Sequence, residues 1–326
     1  MYDHAPRQIV RVTIGPEIAA YGFPDGHPFG THRMKAFWDE AQVQGLDRQV
    51  EIAHPFPATV DELTRFHTPE YVERVQRQSE TGEGYLDYGD TPAYPGVYEA
   101  ASNVVGSALD AMRQIMAGSC GRAFVPIAGL HHARPERAGG FCVFNDIGVV
   151  IKTLREEYDI QRVAYVDIDA HHGDGVFYAF ESDPYVRFLD FHEDGRYLYP
   201  GTGDASETGK GEAENTKLNI PMPPGSGDVH FMQRWPQGVR FLEEGRPEFI
   251  ILQCGADSIA GDPLAHLRLS PNLHGQVATR LVRLAEDLGH GRVLAVGGGG
   301  YNPVNIGKGW CAIVRALVHT PYGHIC

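Results

Sequence analysis

The stretch from Arg162 to Gly175, RVAYVDIDAHHGDG, constrains this chain more than any other. It begins as an apolar run, Val163, Ala164, Tyr165 and Val166, of the kind buried on both faces of a parallel sheet. It then turns abruptly polar. While the chain stays extended, Asp167, Asp169 and His171 leave on one side, because side chains alternate along a strand. Two carboxylates and an imidazole at one spot suit a divalent metal with a coordination position left open. Gly173 and Gly175 then let the backbone turn away. One aspartate at a strand end most often caps the next helix, but the crowding in DIDAHHGDG favours chemistry over capping.

The rest of the chain reads as alternating strands and helices. Strands are expected at Gln8 to Ile14, Ala123 to Ile127, Val163 to Asp169, Val186 to Phe191, Lys217 to Ile220, Phe249 to Gln253 and Val293 to Val296. Helices are expected at Thr31 to Gly45, after the Thr59/Glu62 capping box, after Thr68-Pro69, and over Pro95 to Gly118, Asp146 to Tyr158, Asp228 to Glu244 and Pro271 to Leu288. The Gly-, Tyr-, Asp- and Pro-rich run from Gly82 to Pro95 reads as a long surface loop. Such alternation predicts an α/β fold with helices on both faces of a mainly parallel sheet of about eight strands, in one domain over residues 1–326. Ligands of such sheets bind outside the carboxyl ends of the strands. Four polar motifs fall there: GLHHARPERAGGFC, DIDAHHGDG, CGADSIAGD and GGGGYNP.

Composition narrows the function. With 28 Lys and Arg against 42 Asp and Glu, the formal charge is −14. That argues against a basic face for nucleic acid and suits a cationic substrate or partner, although acidic balance mostly serves solubility. Five scattered cysteines with no CxxC pair fit a reducing compartment rather than a disulfide framework. No apolar run reaches the roughly 18 residues of a membrane span, and Met1 to Thr13 has no signal-peptide core, so a cytoplasmic location is expected.

His131 and His132 are adjacent imidazoles, with Asp167 and Asp174 as acids free to accept from a ring nitrogen. A carboxylate on one nitrogen fixes the tautomer and raises the basicity of the other, which makes an acid/base dyad. Asp257, just past a strand end, is a further metal ligand by position, although a helix cap is its commoner role. Asp262-Pro263 reads as turn chemistry. Gly297 to Gly300 permits close backbone approach and delivers Tyr301 to the site. It lacks the Lys-Ser/Thr of a phosphate-binding loop.

HHARPERAGGFCVFND, DIDAHHGDG, YPGTGD, QCGADSIAGDP and GGGGY together resemble the histone deacetylase superfamily, which includes bacterial acetoin-utilisation and acetylpolyamine deacetylases. The resemblance runs from about Gly26 to Ala316. It implies a three-layer α/β/α arginase-like fold and zinc-dependent amide hydrolysis, with ferrous iron as an alternative cellular metal. By motif, Asp169, His171 and Asp257 would hold the metal. His132 with Asp174 would be the principal general base and acid, His131 with Asp167 an electrostatic partner, and Tyr301 the donor to the carbonyl oxygen. Gly140, Phe141, Tyr199 and Leu264 would form the acyl-lysine tunnel, Asp90 would hold substrate backbone at the rim, and Arg33 would line an internal acetate pocket. The backbone of Asp167, Asp169 and His171 would hold a structural potassium ion.

Three residues depart from the family pattern. Asp190 stands where eukaryotic relatives usually have Ser, near that ion. Tyr199 replaces the usual tunnel Phe, and Leu130 precedes the histidine pair where Trp is common.

The expected substrate is N6-acetyl-lysine in a protein or peptide. A small acetylated amine such as an acetylpolyamine is the alternative. An idle acetyl-lysine reader is disfavoured because every chemical residue is present, and a two-metal ureohydrolase would differ in metal stoichiometry. Homo-oligomer formation would close the rim and favour small amines, but no residue fixes it.

Overall fold

A computed structural model describes residues 9–24 and 26–321. In chain order the strands are β1 (Val10–Thr13), β2 (Glu51–Ala53), β3 (Arg122–Val125), β4 (Val163–Asp167), β5 (Val186–Glu193), β6 (Lys217–Met222), β7 (Phe249–Gln253) and β8 (Val293–Val296). The α-helices are α1 (Pro16–Ala19), α2 (His32–Val43), α3 (Val60–Leu63), α4 (Pro69–Thr81), α5 (Val97–Met116), α6 (Asp146–Tyr158), α7 (Asp174–Ala179), α8 (Asp228–Gly245), α9 (Pro271–Asp287) and α10 (Pro303–His319). The eight strands form one sheet in the order β2-β1-β3-β8-β7-β4-β5-β6, and every pairing is parallel. This is the α/β fold expected.

Burial explains which strands lie at the centre. Every residue of β3, β8, β7 and β4 is buried, as parallel strands covered on both faces require. The edge strand β2 exposes Glu51 and Ile52, and with only three residues it lacks the apolar run that marks a strand in sequence. Helices α4, α5 and α6 pack together in one group, and α2, α9 and α10 in another; α5 packs on β1, β3 and β8, and α9 on β7 and β8. Among the described residues, no helix is long and apolar enough to cross a membrane.

Helix starts follow the capping chemistry in the sequence. Thr59 and Glu62 form the reciprocal capping box of α3. Thr68 and Ser270 cap α4 and α9, each with proline in the first turn. The first strand was expected from Gln8, which lies outside the described residues, and Cys326 lies outside them too. α10 was not foreseen. It follows GGGGYNP directly, and Asn302 caps it through the N–H groups of Val304 and Asn305.

The sheet places the chemistry. The four polar motifs follow β3, β4, β7 and β8, and these four strands are neighbours at the centre of the sheet. Motifs separated by well over a hundred residues therefore meet at one edge.

Candidate active site

β4 ends at Asp167, two residues earlier than its sequence suggests. Beyond it the chain is no longer extended, so the expected convergence of Asp167 with Asp169 and His171 is corrected. Asp167 turns to the histidine pair instead: its Oδ2 accepts from His131 Nδ1 at 2.8 Å and from the Tyr165 hydroxyl. Its Oδ1 accepts the Asp169 N–H at 3.0 Å.

Asp169 and His171 are joined by Asp257, which stands in a short 3-10 turn after β7. One potential ligand atom from each lies within 4.8 Å of the others. His171 Nδ1 faces Asp169 Oδ1 and Asp257 Oδ2, each at 3.1 Å. All three are nearly or fully buried, and the donor set of two carboxylates and one imidazole is the kind a divalent cation takes. Electrostatics point the same way. Burial alone would strip the charge from His171, yet the two carboxylates push its pKa up to about 10. Without a metal, the pocket already draws a positive charge between its acids.

Neighbours fix the orientation of each acid. Asp169 Oδ2 accepts from Gln253 Nε2 and from the Gly299 N–H, both at 2.8 Å, and Asp257 Oδ1 accepts the Ala170 N–H at 2.9 Å. The glycine run makes this approach possible. Gly298 has φ 70°, and a Cβ there would collide with Gln253; one on Gly299 would collide with Asp257.

The two histidines form separate dyads. His131 Nδ1 meets Asp167 at 2.8 Å and His132 Nδ1 meets Asp174 at 2.7 Å, with the two Nε2 atoms 3.1 Å apart. For His131, burial lowers the pKa, but the Asp167 and Asp169 carboxylates outweigh it and push it up to about 9. For His132, burial and the neighbouring His131 charge pull it down to about 4 against the attraction of Asp174. His132 is therefore neutral, with its proton on Nδ1 toward Asp174 and a lone pair on Nε2.

Around these groups lies a cavity of about 220 Å³, lined by Asp90, Gly140, Phe141, Tyr199, Leu264 and Tyr301 among others, with His132 and His171 also on its wall. Gly140, Phe141, Tyr199 and Leu264 thus line one cavity. Tyr301, Gly140, His131, His132, Asp169 and His171 also line a smaller space deeper in. Arg33 does not line that space. It is fully buried behind the glycine turn, donating to the carbonyls of Gly300 at 2.9 Å and Gly298 at 2.5 Å, with its guanidinium 3.9 Å from the centre of the Phe29 ring. Asp190 is hydrogen-bonded within the protein, to His192 Nδ1 at 2.7 Å and the Gly173 N–H at 2.9 Å.

Several supporting residues escaped the sequence reading. Arg134 Nη2 holds the second oxygen of Asp174 at 2.7 Å. Asp262 accepts the N–H of Tyr301 and of Leu264, each at 2.9 Å, so it joins a tunnel wall to the tyrosine rather than only making a turn. Asp146 accepts the N–H groups of Gly129 and Leu130, and Asn145 Nδ2 donates to Ala133 O. His67 Nε2 accepts the Asn145 N–H at 2.9 Å while Nδ1 faces Arg134 O at 3.1 Å. The signal for Asn145 and Asp146 was the N–D pair at a helix start. Gln253 and His67 gave none, because each contacts residues remote in the chain.

The sequence matches the histone deacetylase domain family over residues 27–317. It is 37% identical over 322 residues to the acetoin utilization protein AcuC of Bacillus subtilis (strain 168), covering 95% of this chain and 82% of that protein. It is 33% identical over 305 residues to the histone deacetylase RPD3 of Saccharomyces cerevisiae, covering 90% of this chain and 68% of the yeast protein. The crystal structure of the HDA15 HD domain superposes with a TM-score of 0.88 at 26% identity, covering 98% of this chain and 91% of that one. The buried acid–imidazole triad, the paired dyads and the all-parallel sheet thus sit in a chain that belongs to the histone deacetylase family of deacetylases.

Proposed function

We propose that this protein hydrolyses the amide of N6-acetyl-lysine in a peptide or protein with a zinc ion held by Asp169, His171 and Asp257, releasing acetate and the free amine. The observation that carries this reading is the junction of the triad with the neutral His132 at the end of an acyl-sized tunnel. Zinc would polarise the amide carbonyl and lower the pKa of water from about 15.7 toward about 7, roughly 12 kcal/mol in hydroxide availability.

The remaining work falls to side chains. His132 takes the proton of the attacking water at Nε2 and returns one to the leaving amine, for roughly 10²- to 10⁴-fold. Asp174, held by Arg134, keeps the His132 ring in register. His131 stays charged beside it and offsets the surrounding carboxylates. The Tyr301 hydroxyl, its proton held firmly because burial and then Asp257 push its pKa well up, donates to the carbonyl oxygen as negative charge develops. Phe141 and Tyr199 wall the aliphatic chain, with Leu264 beside them, and Asp90 receives the substrate backbone at the rim. A potassium ion on the backbone of Asp167, Asp169 and His171 and a cytoplasmic location complete the reading; the four cysteines among the described residues, all buried and free, support the latter.

An acetylated polyamine is the competing substrate, favoured by the two carboxyl groups of Asp87 and Asp90 at the rim. Acetate release is measured side by side from an acetyl-lysine peptide and N-acetylputrescine, with zinc-loaded protein and Asp257→Ala as control. Peptide turnover that vanishes in Asp257→Ala is expected. Preference for N-acetylputrescine would transfer the reading to small amines, and zinc binding without turnover of either would overturn it.

A further inference from the structure

Beside the tunnel mouth lies a second cavity of about 390 Å³ that shares Asp90, His132 and Tyr199 with the tunnel. A group standing at the mouth therefore reaches both. The walls of this second cavity carry opposite charges. The Gly82 to Pro95 loop contributes Asp87 and Asp90, and the tight turn closed by reciprocal backbone bonds between Arg134 and Arg137 contributes both arginines.

Two of these four charges are already engaged. Asp87 Oδ1 accepts the N–H groups of Gly89, Asp90 and Thr91, and its Oδ2 accepts the Thr91 hydroxyl at 2.6 Å. Arg134 is committed to Asp174, and its guanidinium lies 4.6 Å from the centre of the Tyr178 ring. Arg137 has a looser hold. Its ion pair is with the adjacent Glu136, whose side chain is 54% exposed, and pairs of that kind are worth little. The Asp90 carboxyl shares the Thr91 hydroxyl at 3.3 Å, and burial and a hydrogen bond with Asp87 hold its pKa up at about 7. Arg137, with its guanidinium 5.7 Å from the centre of the Tyr88 ring, is thus the rim charge left for a ligand, and Asp90 is a polar group beside it.

We propose that this cavity is a carboxylate subsite, in which Arg137 pairs with a carboxylate on the substrate flank while Asp90 faces the α-nitrogen. This rests on the amide-hydrolase reading above and refines its substrate. The preferred substrate is an N6-acyl-lysine bearing a negative charge next to the acylated residue, supplied by its own free α-carboxylate or by a following acidic residue. An acetylated polyamine carries only ammonium groups beyond the tunnel, and Arg137 repels them. The net charge of −14 would draw such cations to the molecule as a whole, but at this wall the local charge is reversed.

The test compares four substrates with the same acetyl group: N6-acetyl-lysine, its α-carboxamide, N-acetylcadaverine, and an amidated peptide with Glu after acetyl-lysine. Each is assayed with zinc-loaded wild type, Arg137→Gln and Arg137→Glu. The wild type is expected to show a KM roughly three- to tenfold lower for the carboxylate-bearing member than for the carboxamide, with little change in kcat. Arg137→Gln should abolish that preference and Arg137→Glu should invert it. If only the Glu-bearing peptide shows the Arg137-dependent gain, the neighbouring residue supplies the carboxylate. Equal KM for acid and amide in the wild type with no Arg137-dependent gain for the Glu-bearing peptide either, or a preference that survives both variants, overturns the subsite. Calorimetric titration of N6-acetyl-lysine and its carboxamide onto Asp257→Ala, with and without Arg137→Gln, reads the subsite apart from catalysis. Absence of turnover with an Arg137-dependent binding preference would therefore sink the hydrolase reading and leave the subsite standing.

Discussion

His131 and His132 meet their aspartates at 2.8 and 2.7 Å, yet one is pushed up to about 9 and the other down to about 4. Geometry alone does not separate them; their surroundings do. Asp167 and Asp169 both bear on His131, whereas His132 lies next to that charged ring and its own aspartate is shared with Arg134. One histidine holds its charge and the other stays neutral, as the proposed base must. Tyr301 serves neither purpose, so Tyr301→Phe should lower kcat by about 10²- to 10³-fold, the usual cost of one oxyanion donor. Zinc content should stay at wild-type stoichiometry, and undiminished turnover would remove the tyrosine from the mechanism. Gln253 is a sterner case because both ends of its amide are used, one on Asp169 and one by the Gly255 N–H. Gln253→Leu should cost about 2 kcal/mol or more in unfolding free energy, since it strands buried polar groups. It should also weaken zinc retention against a chelator; retention equal to wild type would mean that the Gly299 and His171 N–H groups suffice to orient Asp169.

At the level of elements, the histidine turn is held from behind by the start of α6, whose N-cap Asn145 and first residue Asp146 clasp the backbone of residues 129, 130 and 133. His67 locks that clasp to the carbonyls of Arg134 and Pro135. Burial brings its pKa from 6.5 to about 3, so the native state keeps it neutral where the unfolded chain would protonate it. Stability is then full above about pH 6.5 and is lost as pH falls toward 3, at about 1.4 kcal/mol per pH unit. His67→Gln should be less stable at pH 7, yet its acid-side stability curve between about pH 6 and 4 should be shallower by that slope. Parallel curves from denaturant titrations would show that His67 is not the group responsible. None of this could be read from the sequence, because His67 is a lone histidine whose partners lie far along the chain. What could be read was local: the apolar run before DIDAHHGDG, the Thr59/Glu62 box, and proline after Ser270. Asp257, Asp174 and the glycine run also stood out, since each lies at the end of a recognisable strand or in a dense motif. The turn of Asp167 away from the triad was hidden because it depends on where β4 stops, and that is set by the neighbouring chain. The resemblance puts Arg33 at an internal acetate pocket, and its guanidinium donates to the carbonyls of the glycine turn.

For the molecule as a whole, the decisive feature is that β4, β5 and the segments that follow β4 and β7 deliver their acids to a single buried region. Asp167, Asp169, Asp174, Asp190, Asp257 and Asp262 are all buried there. Protonated His131 and His171 compensate only part of that charge, and burial with Asp169 nearby already holds the Asp257 carboxyl up at about 7. A cation that binds only the folded edge must stabilise the fold by mass action. At free zinc of about one hundred times Kd the gain is about 2.7 kcal/mol. Unfolding entropy of about 2.1 cal/mol/K per residue, taken over all 326 residues, converts this to a rise in Tm of about 4 °C. Calorimetric scans with zinc and with chelator should show that difference in the wild type and lose it in Asp257→Ala, which keeps the strands but breaks the triad. Tyr301→Phe should keep it, since the proposed role of the hydroxyl is toward the substrate rather than the ion. A shift that survives Asp257→Ala would place the stabilising ion elsewhere, and saturation at two ions per chain would favour a two-metal centre over a single catalytic zinc.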